Sequence, residues 1–356
     1  MKLRQLFDPI SCTYTYLIYQ ESTKEAVIID PVFELYLRDK ALIDELGLNL
    51  KYTIETHVHA DHITSGWLFK QSCKSEILIS SSSGATNSDR MLEHGDIIEF
   101  GDIKLKSLYT PGHTNGCMSF VDQNESMVFT GDALLIRGTG RTDFQEGSSH
   151  ALYESVKNKL FSLPESCSVF PAHDYNGIMS STIGEEKSFN PRLGGQLSDG
   201  DFIGSMDNLN LPHPKKIDEA VPANLQCGFQ ENGSQLSNNP KWARLSYAFA
   251  GHWDISSDEL FSVLSLVQVI DVREKEEYLG PLGFIKGSKN IPLNEISENK
   301  AYFDQQKNYV FVCRAGGRSV QAIKNAGLYK NQNAASLRGG MIDWRANGFS
   351  VENGKD

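Results

Sequence analysis

Short apolar runs separated by polar turns dominate the first half of the chain. Two short apolar runs, residues 16–19 and 26–30, flank a polar turn at 21–24 and predict a hairpin. Apolar positions at helical spacing predict helices over residues 35–46 and 151–163. Further strands are predicted at residues 51–55, 77–79, 97–100, 103–105, 118–120, 127–129 and 168–170. The pattern therefore predicts a mixed α/β first domain.

The pattern changes near residue 231, where Asn, Ser, Gly and Gln replace the apolar runs. Such a composition is typical of an interdomain linker. A second α/β pattern follows, with helices predicted at 256–264 and 319–329 and strands at 267–273 and 309–312. We predict a first domain over residues 1–230, a linker over 231–241 and a second domain over 242–356.

Length and composition agree with this division. A chain of 356 residues exceeds the size at which single cores usually stop growing, so two domains are expected. A formal net charge of -11 excludes nucleic acid as an expected partner, because phosphate neutralisation needs a basic surface. The N-terminal residues lack the apolar run of a signal peptide, and no stretch approaches the roughly 20 apolar residues of a membrane span. We therefore expect a cytoplasmic protein with no membrane partner.

The six cysteines show no paired spacing, which argues against a disulfide framework. Cys117 lies close to His113 in the sequence, and either a packing role or a place in the wall of a site is open to it. Only Cys313 has a charged, glycine-rich setting. We expect reduced thiols and assign no chemistry to the other cysteines, which are Cys12, Cys73, Cys167 and Cys227.

A histidine cluster follows the predicted strand at residues 51–55. It reads His57, His59, Asp61 and His62, the pattern H-x-H-x-D-H. Three more polar residues come directly after predicted strands further along, and these are His113, Asp132 and His173. Loops at strand ends gather side chains on one rim of a sheet sandwich. Imidazole and carboxylate groups in this arrangement predict a metal site.

The cluster, with Gly112-His113, Gly131-Asp132 and Ala172-His173 after it, resembles the metallo-β-lactamase superfamily. That resemblance implies an αββα sandwich for the first domain. It leaves the reaction open, because many members hydrolyse esters or amides with two zinc ions.

The segments 132–145, 208–212 and 222–224 are similar to those of persulfide dioxygenases, and the similarity covers roughly residues 1–228. It implies one Fe(II) per chain, held by His57, His113 and Asp132 as a face of two histidines and one carboxylate. The resemblance also implies oxidation of glutathione persulfide by O₂ to sulfite and glutathione. The remaining polar residues become outer-shell or pocket groups, and they are His59, Asp61, His62 and His173.

Candidate substrate-binding residues come from the same resemblance. It places Arg141, Tyr175 and Arg192 in the pocket, where arginine donors suit the carboxylates of the tripeptide. Structural ion pairs are the alternative role for the two arginines. Position 139 carries Thr where relatives can carry Cys, so no thiol is available there.

A dizinc hydrolase similar to glyoxalase II stays open as the alternative function, since all seven positions of that site are filled. Glyoxalase II would normally bring a helical substrate-binding domain after the metal core, whereas this chain carries a different second domain. The second domain therefore favours the dioxygenase.

The second domain carries a cysteine loop, residues 313–319, between a predicted apolar strand and a predicted helix. Glycines and a helix start aim backbone amides at one point, and Arg314 and Arg318 add positive charge, so a Cys313 thiolate is favoured. Four residues separate Cys313 from Arg318, one fewer than in the loop of tyrosine phosphatases. The shorter loop suits a sulfane sulfur better than a phosphate.

Residues 243–351 resemble a single active rhodanese domain, with Cys313, Arg314 and Arg318 as the implied catalytic residues. The resemblance implies sulfur transfer between thiosulfate, glutathione and sulfite through a Cys313 persulfide. We therefore expect a bifunctional sulfur-metabolism enzyme. A binding or regulatory protein whose rhodanese unit only senses persulfide is the competing class, and the intact Cys313 loop argues against it; the hydrolase alternative would carry the same sensing module. The sequence leaves a homo-oligomer open.

Overall fold

The computed structural model describes residues 1–229, 240–304, 306–329 and 331–353. The chain divides into two compact units, Met1–Ser234 and Gln235–Asp356. Most of the predicted linker, 231–241, lies outside the described residues. Within the described parts of the chain, no helix has both the length and the apolar character needed to cross a membrane.

The first unit contains two six-stranded sheets. The first sheet runs in the order β1 to β6: β1 (Lys2–Asp8), β2 (Thr13–Tyr19), β3 (Glu25–Ile29), β4 (Asn49–Ile54), β5 (Glu76–Ser80) and β6 (Arg90–Leu92). The second runs in the reverse order from β12 to β7: β7 (Ile97–Phe100), β8 (Ile103–Tyr109), β9 (Met118–Asp122), β10 (Met127–Gly131), β11 (Ser168–Pro171) and β12 (Ser181–Thr182). The helices are α1 (Tyr36–Glu45), α2 (Gly66–Cys73), α3 (Ser149–Ser155), α4 (Ile183–Phe189), α5 (Asp199–Asp207) and α6 (Ile217–Asn224).

The two sheets pack face to face through apolar side chains that alternate along their strands. Val27 and Ile29 from the first sheet share one buried cluster with Phe120 and Phe129 from the second. Tyr16 contacts the Phe129 ring edge-on, with ring centroids 5.0 Å apart. Helices cover the outer faces, as where α3 and α5 pack on the second sheet. The expected αββα sandwich is confirmed, since inward-facing residues of both sheets form one core.

The predicted first-domain elements are largely found, with shifted ends. The predicted helix 151–163 begins earlier, as α3, and continues into a π-helical segment, Val156–Leu160. The π-helical segment ends at Leu160, and Phe161 follows as its C-cap residue. The sequence pattern did not predict the strands β1, β6 and β12 or the helices α2, α4, α5 and α6.

The prediction that four polar site residues follow strands is correct. His57 follows β4, His113 follows β8, Asp132 follows β10 and His173 follows β11. The loops after these strands meet at one rim of the sandwich. The fold therefore positions the candidate metal ligands through four separate strand ends.

The second unit has one sheet in the order β13-β14-β18-β17-β15-β16. Its strands are β13 (Ser246–Ala248), β14 (His252–Ile255), β15 (Gln268–Asp271), β16 (Lys289–Asn290), β17 (Tyr309–Val312) and β18 (Ala334–Leu337). Its helices are α7 (Ser257–Val263), α8 (Lys275–Tyr278), α9 (Gly317–Asn325) and α10 (Gly340–Ala346). The neighbouring strands β14, β18, β17, β15 and β16 are parallel. Parallel strands need crossover connections, and helices form part of these connections.

The cysteine loop lies between β17 and α9, as predicted. α9 begins two residues before the predicted start at 319 and ends at Asn325 rather than at 329. The earlier end has a local cause, because Gly327 adopts a left-handed conformation with φ +79° and its amide donates to the Lys324 carbonyl.

Candidate functional site

Three side chains of types that can bind a metal converge at the rim of the sandwich in the first unit. One ligand atom from each of His57, His113 and Asp132 lies within 4.8 Å of the others. The His113 Nε2 atom is 3.5 Å from Asp132 Oδ2, and the rings of His57 and His113 are nearly perpendicular, with centroids 5.0 Å apart. Two imidazole nitrogens and a carboxylate oxygen on one side of an ion form a donor set that fits iron(II) and zinc alike.

Hydrogen bonds orient both histidine rings. The His113 Nδ1–H donates to the Arg141 carbonyl oxygen at 2.5 Å. His57 Nδ1 lies 2.9 Å from Thr56 Oγ1, and the Thr56 hydroxyl donates to Asp30 Oδ2 at 2.7 Å. Because the Nδ1 atom of each ring is engaged in this way, Nε2 carries the lone pair that can bind a metal.

A second group of polar side chains forms a continuous hydrogen-bonded chain beside these ligands. His173 donates from Nδ1 to Asp132 Oδ1 at 2.7 Å and from Nε2 to Asp61 Oδ2 at 3.0 Å. The same Asp61 oxygen lies 2.9 Å from His62 Nδ1. Both nitrogens of His173 therefore face carboxylates, and the ring is engaged on both sides.

Electrostatics set the protonation states of the site. Burial, reinforced by His59, holds the pKa of His57 well below its usual value. Burial alone would raise the pKa of Asp132, but His173 and His113 outweigh it and lower the pKa. For His173 burial is likewise outweighed, and two carboxylates raise its pKa. A neutral imidazole and an ionised carboxylate are the forms that a metal requires.

His59 lies in a separate, fully buried group. Its Nε2 atom is 3.2 Å from Asp30 Oδ1 and 3.7 Å from Glu55 Oε2. Burial lowers the pKa of His59, but the Asp30 carboxylate outweighs it and raises the pKa to about 9. His59 thus acts as a cation that balances buried carboxylates behind the metal ligands.

A cavity of about 670 Å³ opens above the three converging ligands. Its size falls in the range typical of small-molecule sites. Apolar groups from Leu135, Ile136, Phe144 and Leu211 form part of its wall. The predicted site residues that line it are His57, Asp61, His113, Asp132, Arg141, His173, Tyr175 and Arg192. His59 and His62 are not among the lining residues.

The cysteine loop of the second unit holds a buried thiol. The Gly316 amide donates to Cys313 Sγ at 3.1 Å, and Ser319 Oγ lies 3.6 Å from the same sulfur. Burial would raise the pKa of Cys313, but the Ser319 hydroxyl and the loop amides outweigh it, so the pKa is lowered. A thiolate is therefore favoured.

The two arginines of this loop differ in their surroundings, and Arg318 also interacts electrostatically with Cys313. Arg318 makes a two-point ion pair with Glu277, with N–O distances of 2.6 and 2.8 Å. Arg314 is exposed. The groups that lower the Cys313 pKa are mainly the hydroxyl and the amides, while Arg318 is held beside the loop by Glu277.

Family models match both units. The metallo-beta-lactamase superfamily matches residues 12–173, and the rhodanese-like domain matches residues 259–347. A mitochondrial persulfide dioxygenase, ETHE1 of Homo sapiens, is 53% identical over 231 residues, which are 64% of this chain and 89% of the relative. The chain belongs to the ETHE1 persulfide dioxygenase family.

Two solved structures extend the comparison. ETHE1 from Myxococcus xanthus is 48% identical, with a TM-score of 0.62, and the match covers 64% of this chain and 100% of that one. A metallo-beta-lactamase from Staphylococcus aureus is 25% identical, with a TM-score of 0.60, and covers 95% of this chain and 98% of its own. Membership of the ETHE1 family, together with the metallo-β-lactamase fold, indicates a bound metal in the first unit.

The predicted substrate residues differ in their contacts within this ETHE1-like cavity. Arg141 pairs with Asp143 through two donors, each at 2.7 Å, and donates to the Pro212 carbonyl at 2.8 Å. Arg192 donates to the Thr139 carbonyl at 2.9 Å. Tyr175 stacks on His173, with ring planes 4° apart, and is 71% exposed at the cavity mouth.

Sequence reasoning missed several residues that shape the two sites. Thr13 Oγ1 lies 3.1 Å from His173 Nε2 and from Asp61 Oδ2, although no motif marks Thr13. Ser319 and Glu277 were visible within rhodanese-like segments but carried no assigned role. Glu186 contacts the loop after Asp132 from 49 residues away, and no local pattern signals it. Cys117 is buried, and burial raises its pKa to about 12, which fits a packing role.

Proposed function

We propose that the first domain oxidises glutathione persulfide with O₂ at one Fe(II) held by His57, His113 and Asp132. The observation that carries this proposal is that the polar groups of the site differ in their hydrogen-bond partners. Three ligands converge with free Nε2 and carboxylate atoms, whereas His173 is engaged between Asp132 and Asp61. A second metal would have to compete with that hydrogen-bonded chain, which supports a single ion.

The reaction balances without a further reductant. Glutathione persulfide anion, O₂ and water give glutathione, sulfite and one proton. Iron(II) held by His57, His113 and Asp132 would supply the redox chemistry that O₂ requires. The chain holds the ligand geometry: Arg141 O and Thr56 Oγ1 fix the rings of His113 and His57. The terminal sulfur is oxidised, and the glutathione sulfur leaves as the thiol.

The cavity walls supply the groups that bind glutathione. Arg192 lines the cavity and suits a carboxylate of the tripeptide. Tyr175 offers a hydroxyl at the mouth. Arg141 has its donors committed to Asp143 and to the Pro212 carbonyl, so its role in this proposal is to fix the cavity wall.

The second domain transfers sulfur through Cys313 in the same proposal. The Cys313 thiolate attacks the outer sulfur of thiosulfate, a Cys313 persulfide forms, and sulfite leaves. Glutathione thiolate then attacks the outer sulfur of that persulfide, so glutathione persulfide forms and the Cys313 thiolate returns. The Gly316 amide and the Ser319 hydroxyl stabilise the anionic sulfur at both stages.

A dizinc hydrolase similar to glyoxalase II is the second candidate. One observation favours it: His59, Asp61 and His62 also offer ligand atoms within 4.8 Å of one another. His59 is already paired with Asp30, however, and it does not line the cavity. The metal content of the protein separates the two candidates.

Coupling of the two activities tests the proposed function. Thiosulfate plus glutathione should support O₂ uptake by the wild-type protein, because the second domain makes the substrate of the first. Cys313→Ser should show no uptake on that mixture and should recover it when glutathione persulfide is supplied. An O₂ electrode measures all three.

Two outcomes of this experiment would contradict different parts of the proposal. Loss of persulfide oxidation in Cys313→Ser would contradict two independent sites. Absence of any sulfur transfer by the wild type, under conditions where persulfide is oxidised, would leave the second domain without the proposed activity.

A further inference from the structure

We propose that Glu186 is a positioning residue of the metal centre. It fixes the loop 135–141, which we name the ligand loop, and the Arg141 carbonyl of that loop orients His113. The inference rests on the proposed metal site, since it concerns how one of its ligands is held. Glu186 itself lies on α4 and does not line the cavity.

Glu186 is a fully buried carboxylate with four hydrogen-bond donors. Its Oε2 atom accepts from the Arg137 amide and from Asn190 Nδ2, each at 2.9 Å. Its Oε1 atom accepts from Ser181 Oγ at 2.6 Å and from the Arg137 guanidinium. Two donors on each oxygen use the full acceptor capacity of an ionised carboxylate, which a neutral side chain cannot match.

Asn190 and Arg192, which follow α4, hold two further positions of the ligand loop. Asn190 Nδ2 also donates to the Gly138 carbonyl at 3.1 Å, and Arg192 donates to the Thr139 carbonyl at 2.9 Å. Backbone groups of Arg137, Gly138 and Thr139 are thus held from one side. Glu186 accepts the hydrogen bond from the Arg137 amide. An internal bridge between Leu135 and Gly138 shapes the loop, and the contacts with Glu186, Asn190 and Arg192 tie it to the segment 186–192.

The far end of the ligand loop lies against the metal ligands. The Gly140 amide donates to the Asp132 carbonyl at 2.8 Å. A Cβ atom on Gly140 would lie 2.8 Å from the His113 ring, which shows how closely the loop packs there. The next residue, Arg141, accepts the His113 Nδ1 proton at 2.5 Å. A displaced loop would therefore remove the acceptor that presents His113 Nε2 to the metal.

Glu185 offers a matched control. It contacts the same Arg137 guanidinium at 2.8 Å, but its side chain is 49% exposed, and its contacts with Arg137 do not include the backbone amide. Glu185→Gln and Glu186→Gln change the charge of the protein equally. Only the second alters a carboxylate that accepts a hydrogen bond from the backbone of the ligand loop, and it replaces one of the two acceptor oxygens by an NH₂ group.

The test is the affinity of the full chain for Fe(II), measured without O₂ by competition with a coloured chelator. Glu186→Gln should weaken Fe(II) binding about tenfold, the lower end of what loss of an outer-shell partner costs. Glu185→Gln should bind Fe(II) as the wild type does. With Co(II) as a second probe, the absorption bands of the bound ion should shift in Glu186→Gln alone, which a purely structural role would not cause.

Unchanged affinity and an unchanged Co(II) spectrum in Glu186→Gln would overturn the inference, and so would equal losses in both variants. If Glu186→Gln does not fold, as judged by near-ultraviolet circular dichroism, Asn190→Ala replaces it and carries the same expectation. His113→Ala is measured in parallel. Full Fe(II) affinity in His113→Ala would refute the proposed metal site itself, whereas a large loss there with a normal Glu186→Gln would refute only the role of Glu186.

Discussion

At the scale of single residues, the partner of a side chain decides what it does. His57 and His173 belong to the same sequence pattern, yet their surroundings differ. His57 is held neutral beside a threonine hydroxyl, whereas His173 lies between two carboxylates and is favoured as a cation. One ring is thus free to bind a metal, and the other is committed to hydrogen bonds.

The motifs identified which residues gather at the rim, because strand ends bring them together whatever their partners. They did not reveal that His59 would pair with Asp30 behind the cavity. That pairing depends on the packing of two loops that are far apart in the sequence. Ionisation follows from burial and neighbouring charge, which a linear pattern does not contain.

The reactivity of Cys313 should depend on pH in a way that its neighbours define. The thiolate fraction of Cys313 rises with pH. Because the pKa of Cys313 is lowered from its ordinary value of 9.0, this fraction reaches half its maximum below pH 9. Ser319→Ala removes the hydroxyl that contributes to this lowering, so the midpoint should move to higher pH. The rate of iodoacetamide alkylation across pH measures the shift.

Burial raises the pKa of the Cys73 thiol, so the pH dependence of alkylation at Cys73 differs from that at Cys313. Alkylation should therefore be followed at Cys313 by mass spectrometry. A midpoint that is identical in the wild type and in Ser319→Ala would show that the hydroxyl does not stabilise the thiolate.

At the scale of elements, the ligand loop connects the metal centre to α4. One of its residues is glycine for a steric reason. A Cβ atom at Gly140 would lie 2.6 Å from the Asp132 carbonyl and 2.8 Å from the His113 ring, closer than real contacts allow. A Cβ atom at Gly138 would meet nothing nearer than 3.8 Å.

Gly140→Ala should therefore displace a metal ligand, while Gly138→Ala should be tolerated. We expect Gly140→Ala to lose most of its bound metal and its persulfide-dependent O₂ uptake. Elemental analysis and an O₂ electrode measure the two quantities. Full metal content in Gly140→Ala would mean that the loop moves aside without disturbing His113 or Asp132.

Regular elements were predictable where burial produces a simple period. The strand predicted at 97–100 matches β7, and the one at 309–312 matches β17. α4 and α5 were missed because they are short and rich in polar residues, and α6 was missed because Pro222 lies inside it. The contact between α4 and the ligand loop is a tertiary contact that no local period encodes.

At the scale of the whole molecule, one chain carries two sites with related sulfur chemistry. Among the described residues, His57, His113 and Asp132 of the first unit form the candidate metal site, and Gly316 and Ser319 of the second unit contact Cys313. The linking species in our proposal is glutathione persulfide, which one site makes and the other oxidises. Because the described contacts of each site come from one unit, the sequence motifs of the two sites could be recognised separately.

The most direct test of the account is the metal content of the purified protein, measured together with its O₂ uptake on glutathione persulfide. We expect about one iron per chain, one O₂ consumed for each sulfite released, and loss of both iron and uptake in His113→Ala. Two zinc ions per chain, with thioester hydrolysis and no persulfide-dependent O₂ uptake, would contradict the account and establish the hydrolase.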